Sequence, residues 1–116
     1  MKNTGPTTAV RDAVYDREQG RCARCGRSDG PFQIHHRSAR RAGGSKQPAK
    51  NQPGNLVLLD QECHADIESH RTRSYVVGWL VREGHVAADT PLLYRPGRWV
   101  LLDDDGGITD VLGVAS

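Results

Sequence analysis

At 116 residues, with 36% of them hydrophobic and a mean hydropathy of −0.63, the chain has the length of one domain and the means for only a thin core. No apolar run approaches membrane-spanning length and Met1, Lys2, Asn3, Thr4, Gly5 and Pro6 hold no apolar signal segment, which excludes a membrane-spanning chain and predicts a soluble, cytoplasmic protein. The net charge of +2 conceals a split: residues 1–50 carry eleven Lys or Arg against four Asp or Glu, and residues 51–116 carry five against ten. A basic half of this kind suits a polyanion.

In chain order, residues 8–19 read as a helix with a weak apolar stripe of Val10, Ala13 and Val14, stopped by Gly20. Residues 22–26, Cys-Ala-Arg-Cys-Gly, form a tight knuckle, and residues 32–36 a short strand. Residues 38–54 are a loop rich in Arg, Lys, Gly and Pro, long for a compact domain. Residues 56–59, Leu-Val-Leu-Leu, are a continuous apolar run and hence a buried strand. A helix is predicted from 61 to about 77, ending at Gly78. Short strands follow at 79–81, 92–94 and 99–102, joined by turns at Pro96-Gly97 and Asp105-Gly106-Gly107. Trp79 and Trp99 read as core of these strands.

Three cysteines cannot all pair with one another, and CxxC without a secretory signal points to metal rather than disulfide. Cys22 and Cys25 can bind one zinc ion from a turn, with Cys63 as third ligand at the start of the helix. A redox CxxC is the other reading, without the βαβ context it needs. The fourth ligand is open. Asp60, three before Cys63, stands where a second CxxC would begin; it can ligate zinc or cap the helix. His70 is about two helical turns from Cys63 and a weaker candidate.

A second set of residues suits phosphodiester hydrolysis. That reaction needs a base for water and a divalent cation to neutralise the phosphate. His35 and His36 supply two imidazoles at one strand end, and His64 a third at a helix start. Adjacent strand residues face opposite sides, so the pair shares one site only if the strand ends or twists there. Glu68, one turn after His64, reads as a solvated helix residue.

CxxCG, the histidine pair, Gly43-Gly44, Asn55-Leu56-Val57-Leu58-Leu59 and Cys63-His64 occur in the order found in HNH endonucleases. Over roughly Arg21 to Arg73 the chain resembles that family of ββα-metal nucleases, most closely the small forms from phages of actinobacteria. The resemblance implies an α+β fold: a zinc-stapled ββα-metal core over about 21–77, an N-terminal helix, and a C-terminal β extension over about 78–112, in one domain. It implies that His36 is the general base, that Asn55 orients loop and base, and that His64 ligates the catalytic cation. His35 sits where many members carry an aspartate ligand of that cation. Cys22, Cys25 and Cys63 match the structural zinc cysteines, and Asp60 the position of the fourth.

Two imidazoles without that aspartate suit manganese, nickel, cobalt or zinc better than magnesium. Arg37, Arg40, Arg41, Lys46 and Lys50 in the loop, with Arg71 and Arg73 on the helix, are the expected phosphate contacts. With 5% aromatics there is little for single strands to stack on, so duplex or branched DNA is the expected substrate. The family further implies 5′-phosphate products and a phage DNA-packaging setting beside a terminase, in the host cytoplasm. The rival readings are a non-catalytic zinc-stapled DNA-binding module and a degenerate nuclease fold used for protein contacts.

Overall fold

The computed structural model describes residues 5–38 and 48–111. It is an α+β domain with two antiparallel sheets. In chain order it runs α1 (Thr8–Glu18), β1 (Phe32–His36), β2 (Leu56–Asp60), α2 (Gln61–Ser69), α3 (Arg71–Val76), β3 (Leu92–Tyr94), β4 (Arg98–Leu102) and β5 (Ile108–Asp110). None of the described helices is long and apolar enough to cross a membrane.

Helix α1 begins where the Thr7 hydroxyl accepts the Val10 amide. It ends with Gln19 in the left-handed region at φ 61, followed by Gly20 at φ 67. Strand β1 pairs antiparallel with β2 from Phe32 opposite Asp60 to His36 opposite Leu56. The five residues of β2 are all buried, because the strand is covered on both faces. Leu56 and Leu58 pack with Val14 of α1, while Val57 and Leu59 pack with Cys63 and Ile67 of α2 and with Trp79, Leu92, Val100 and Leu102. Each of these aliphatic side chains contributes about 1.5–3 kcal/mol by leaving water, which is what holds α1 and α2 to opposite faces of one strand.

The second sheet has the order β3-β4-β5. It is tied to α1 by a buried polar cluster. The Glu18 side chain is fully buried and accepts the Tyr94 hydroxyl at 2.7 Å and Arg17 Nη2 at 2.6 Å. Arg95 Nη2 donates to the Glu18 carbonyl at 2.7 Å and its Nη1 to the Cys22 carbonyl at 2.6 Å.

Two expectations need correction, and one strand was not foreseen. The helix expected over 61–77 is two helices, broken at His70 with φ −126 and ψ 61. The Ser74 hydroxyl sits in the break, 3.1 Å from the Ile67 carbonyl and 2.9 Å from the His70 carbonyl, which also keeps its regular bond from the Ser74 amide at 3.0 Å. Residues 79–81 are not a strand. Their backbone bonds go to unrelated places: the Leu80 amide to Ser74, the Val81 amide to Arg37, and the Trp79 carbonyl to His35. Finally, β5 is an edge strand with a single half-buried apolar residue, Ile108, and so carries no sequence signal.

Candidate functional site

The knuckle that carries Cys22 and Cys25 is built by backbone bonds. The Cys22 amide donates to the Arg27 carbonyl at 2.9 Å and the Gly26 amide to the Cys22 carbonyl at 2.9 Å. Gly26 has φ +82, a conformation that a side chain would strain. The Ala23 amide donates to Leu58 at 2.8 Å, which docks the knuckle on β2. Asp60 ends β2 and Cys63 lies in the first turn of α2. The ligand atoms of Cys22, Cys25, Asp60 and Cys63 all fall within 4.8 Å of one another. Tetrahedral zinc with thiolates at about 2.3 Å needs sulfurs about 3.8 Å apart, so this cluster can hold a metal such as zinc with small closure.

Asp60 caps α2 and also stands inside the cluster. Its Oδ1 accepts the Cys63 amide at 2.7 Å as helix cap, and its Oδ2 accepts the Cys25 thiol at 2.9 Å inside the cluster. Burial alone would raise the Asp60 carboxyl, but the Cys25 thiol and the Cys63 amide outweigh it and hold the group below the usual carboxylate range. Burial pushes the Cys25 and Cys63 thiols up, so metal binding must displace their protons. His70 takes no part in this cluster and pairs with Asp66.

A second cluster lies on the adjoining side of α2. His35, His64 and Glu68 offer ligand atoms that also lie within 4.8 Å of one another. His64 and Glu68 are four apart and share a helix face. The rings of His35 and His64 meet edge to face with centroids 5.2 Å apart. His35 is 4% exposed and its Nε2 donates to the Trp79 carbonyl at 2.8 Å, leaving its lone pair on Nδ1. A carbonyl behind a ligating imidazole fixes the tautomer that a metal requires. Burial lowers the His35 pKa to about 4, with the neighbouring His64 acting in the same direction, so the ring is neutral at pH 7. The unfolded chain takes a proton near about 6.5 that the folded chain refuses, so acid destabilises the fold between about 6.5 and about 4. In an NMR titration the His35 ring protons are expected not to shift above about pH 5, while an exposed imidazole titrates near about 6.5. A His35 midpoint near 6.5 would show the ring solvated rather than buried.

Glu68 is the residue that sequence reasoning missed. Its spacing from His64 was the available signal, but only the position of β1 shows the carboxylate facing His35. Glu68 also holds Arg71, with Oε1 2.5 Å from Nη1.

The histidine pair keeps strand alternation. His35, opposite Val57, faces α2; His36, opposite Leu56, is the last residue of β1 and its Nε2 donates to Asn51 Oδ1 at 2.9 Å. Only His35 enters the cluster, and His36 lies near enough for its charge to oppose protonation of His35. Asn55 is buried at 3% exposure. Its Oδ1 accepts the Ser38 amide at 2.8 Å, and its Nδ2 donates to the Ser38 and Lys50 carbonyls at 3.1 and 2.9 Å.

Two expected phosphate contacts point inward. Arg37 is fully buried, and its guanidinium donates to the carbonyls of Gly78, Gly54, Ala87 and Thr90 at 2.8–3.1 Å. Burial lowers its pKa to about 10, so it stays charged while it ties four segments together. Lys50 is 9% exposed; its Nζ donates to the Ser38 hydroxyl and lies 3.4 Å from Glu83. Arg71 and Arg73 are exposed, and each has an acidic partner, Glu68 and Asp66. Arg40, Arg41 and Lys46 lie outside the described residues.

Comparison with known proteins returns no matching family model, no matching curated protein and no matching solved structure.

Proposed function

We propose that this chain is a metal-dependent DNA endonuclease of the HNH, ββα-metal type. The observation that carries the reading is the convergence of His35, His64 and Glu68 from β1 and α2, one residue from His36 and its Asn51 partner. The donor set fits a divalent cation: two imidazoles, one held neutral by burial and by the Trp79 carbonyl, and one carboxylate. The carboxylate of Glu68 widens the choice of ion beyond manganese, nickel, cobalt and zinc to include magnesium. When bound, the cation would supply charge stabilisation for the phosphate and the departing 3′ oxygen.

His36 takes a proton from the water that attacks phosphorus in line, and 5′-phosphate and 3′-hydroxyl ends result. Asn55 holds the main chain on both sides of the 39–49 segment, at Ser38 and Lys50. The Cys22, Cys25, Asp60 and Cys63 set, filled by zinc, braces the start of α2 and so fixes His64, the next residue. Arg40, Arg41, Lys46, Arg71 and Arg73 remain the cations for the duplex backbone, and phage DNA packaging beside a terminase is the setting the resemblance implies.

The test is nicking of supercoiled plasmid across a panel of divalent cations. The wild-type protein is expected to nick in a metal-dependent way, and His36→Ala to lose about 10²–10⁴-fold of the rate. Plasmid binding without nicking by either protein would instead establish a non-catalytic zinc-stapled module.

A further inference from the structure

Asn55 grips the chain at two points that bracket Asn51. Its Nδ2 donates to the Lys50 carbonyl at 2.9 Å, and its backbone amide donates to the Gln52 carbonyl at 2.9 Å. Asn51, between them, closes the short turn Pro48–Asn51 and turns its own amide oxygen to His36 Nε2 at 2.9 Å. Asn55 thus holds the main chain, and Asn51 makes the contact to the ring. A neutral imidazole carries one proton, and the partner of one nitrogen decides which nitrogen is left as acceptor. An amide oxygen at Nε2 selects the Nε2–H tautomer and makes Nδ1 the acceptor, without placing a second negative charge beside the neighbouring Glu68 site.

We propose that Asn51 is a positioning residue for the general base. Its side-chain oxygen fixes the tautomer and ring plane of His36, and the effect of Asn55 on the base passes through it. The proposal rests on the endonuclease reading and deepens it. It also assigns a task to an asparagine that lies outside the HNH pattern, four residues before the motif asparagine.

Two measurements test it. The first is long-range ¹H–¹⁵N correlation on zinc-loaded, ¹⁵N-histidine-labelled protein in mildly alkaline buffer. His36 is expected as Nε2–H in the wild type and in Asn51→Asp, which keeps the oxygen, and as a tautomer mixture in Asn51→Leu. The second is single-turnover plasmid nicking. Asn51→Leu is expected to nick about 10–100-fold more slowly, within the range that a positioned base supplies, with plasmid affinity within about twofold of wild type and with Asn51→Asp recovering most of the rate. An Nδ1–H tautomer in the wild type overturns the proposal, and so does an Asn51→Leu rate that is unchanged or raised. If the wild type nicks and Asn51→Leu nicks equally, the positioning role alone falls. If the wild type nicks with no cation of the panel, the endonuclease reading falls and takes the positioning role with it, while the tautomer still reports whether the hydrogen bond forms.

Discussion

Arg37→Met is expected to cost the fold about 3–5 kcal/mol, the upper end of what single substitutions do. The methionine stem fills much of the space, but the carbonyls of Gly78, Gly54 and Thr90 lose the guanidinium, and that of Ala87 is left with the Thr90 amide alone. Each orphaned buried carbonyl costs about 1–3 kcal/mol, reduced where the chain relaxes. Against a total stability of about 5–15 kcal/mol, this leaves a marginal or unfolded protein. Arg37→Lys should lose less, because one ammonium can still serve some of the four acceptors. Urea unfolding in the presence of zinc measures both. A variant as stable as wild type that fails only to bind DNA would return Arg37 to the role of phosphate contact.

Removal of metal from the Cys22, Cys25, Asp60 and Cys63 cluster is expected to have the largest effect of all. Structural zinc contributes about 10–16 kcal/mol in small zinc domains at pH 7, comparable to the whole stability of a domain of this size. A strong chelator should therefore collapse the far-UV dichroism and the near-UV signal of Trp79, and zinc should restore both. Substitutions at Asp60 separate its two tasks. Asparagine caps a helix as well as aspartate does but is a poor zinc ligand. Asp60→Asn is expected to keep α2 and weaken zinc by at least the roughly 10–100-fold typical of losing an outer partner. Asp60→Ala is expected to lose about 1 kcal/mol of helix capping in addition. Equal zinc affinity of Asp60→Asn and wild type in a chelator competition would reduce Asp60 to a cap.

Much of the knuckle and of the β1–β2 pair was legible in the chain. Leu56 to Leu59 is an unbroken apolar run because both faces of β2 are covered, and CxxCG marks its turn by glycine and sulfur spacing. Spacing pointed to Cys22, Cys25 and Cys63 as one site and left Asp60 open, while the pairing of His35 with His64 was what the resemblance implies; both sets come together in the fold. What stayed hidden is what depends on distant partners. No glycine or proline announces the break at His70, where the Ser74 hydroxyl reaches across to the Ile67 carbonyl. Arg37 and Lys50 looked like loop cations because composition cannot show that their charged ends are buried among carbonyls and hydroxyls. Glu68 looked solvated because its partner His35 is thirty-three positions earlier in the chain.

The Tyr94 hydroxyl on the Glu18 carboxylate, and the Arg95 guanidinium on the carbonyls of Glu18 and Cys22, span most of the sequence. The segment that carries the cysteine cluster is therefore tied to the C-terminal sheet by buried polar contacts that an excised cassette would lose. A graft onto a new carboxy-terminal appendage would have to replace the phenol on the Glu18 carboxylate, which would otherwise keep only Arg17 and the Leu58 amide, and the guanidinium on two main-chain carbonyls.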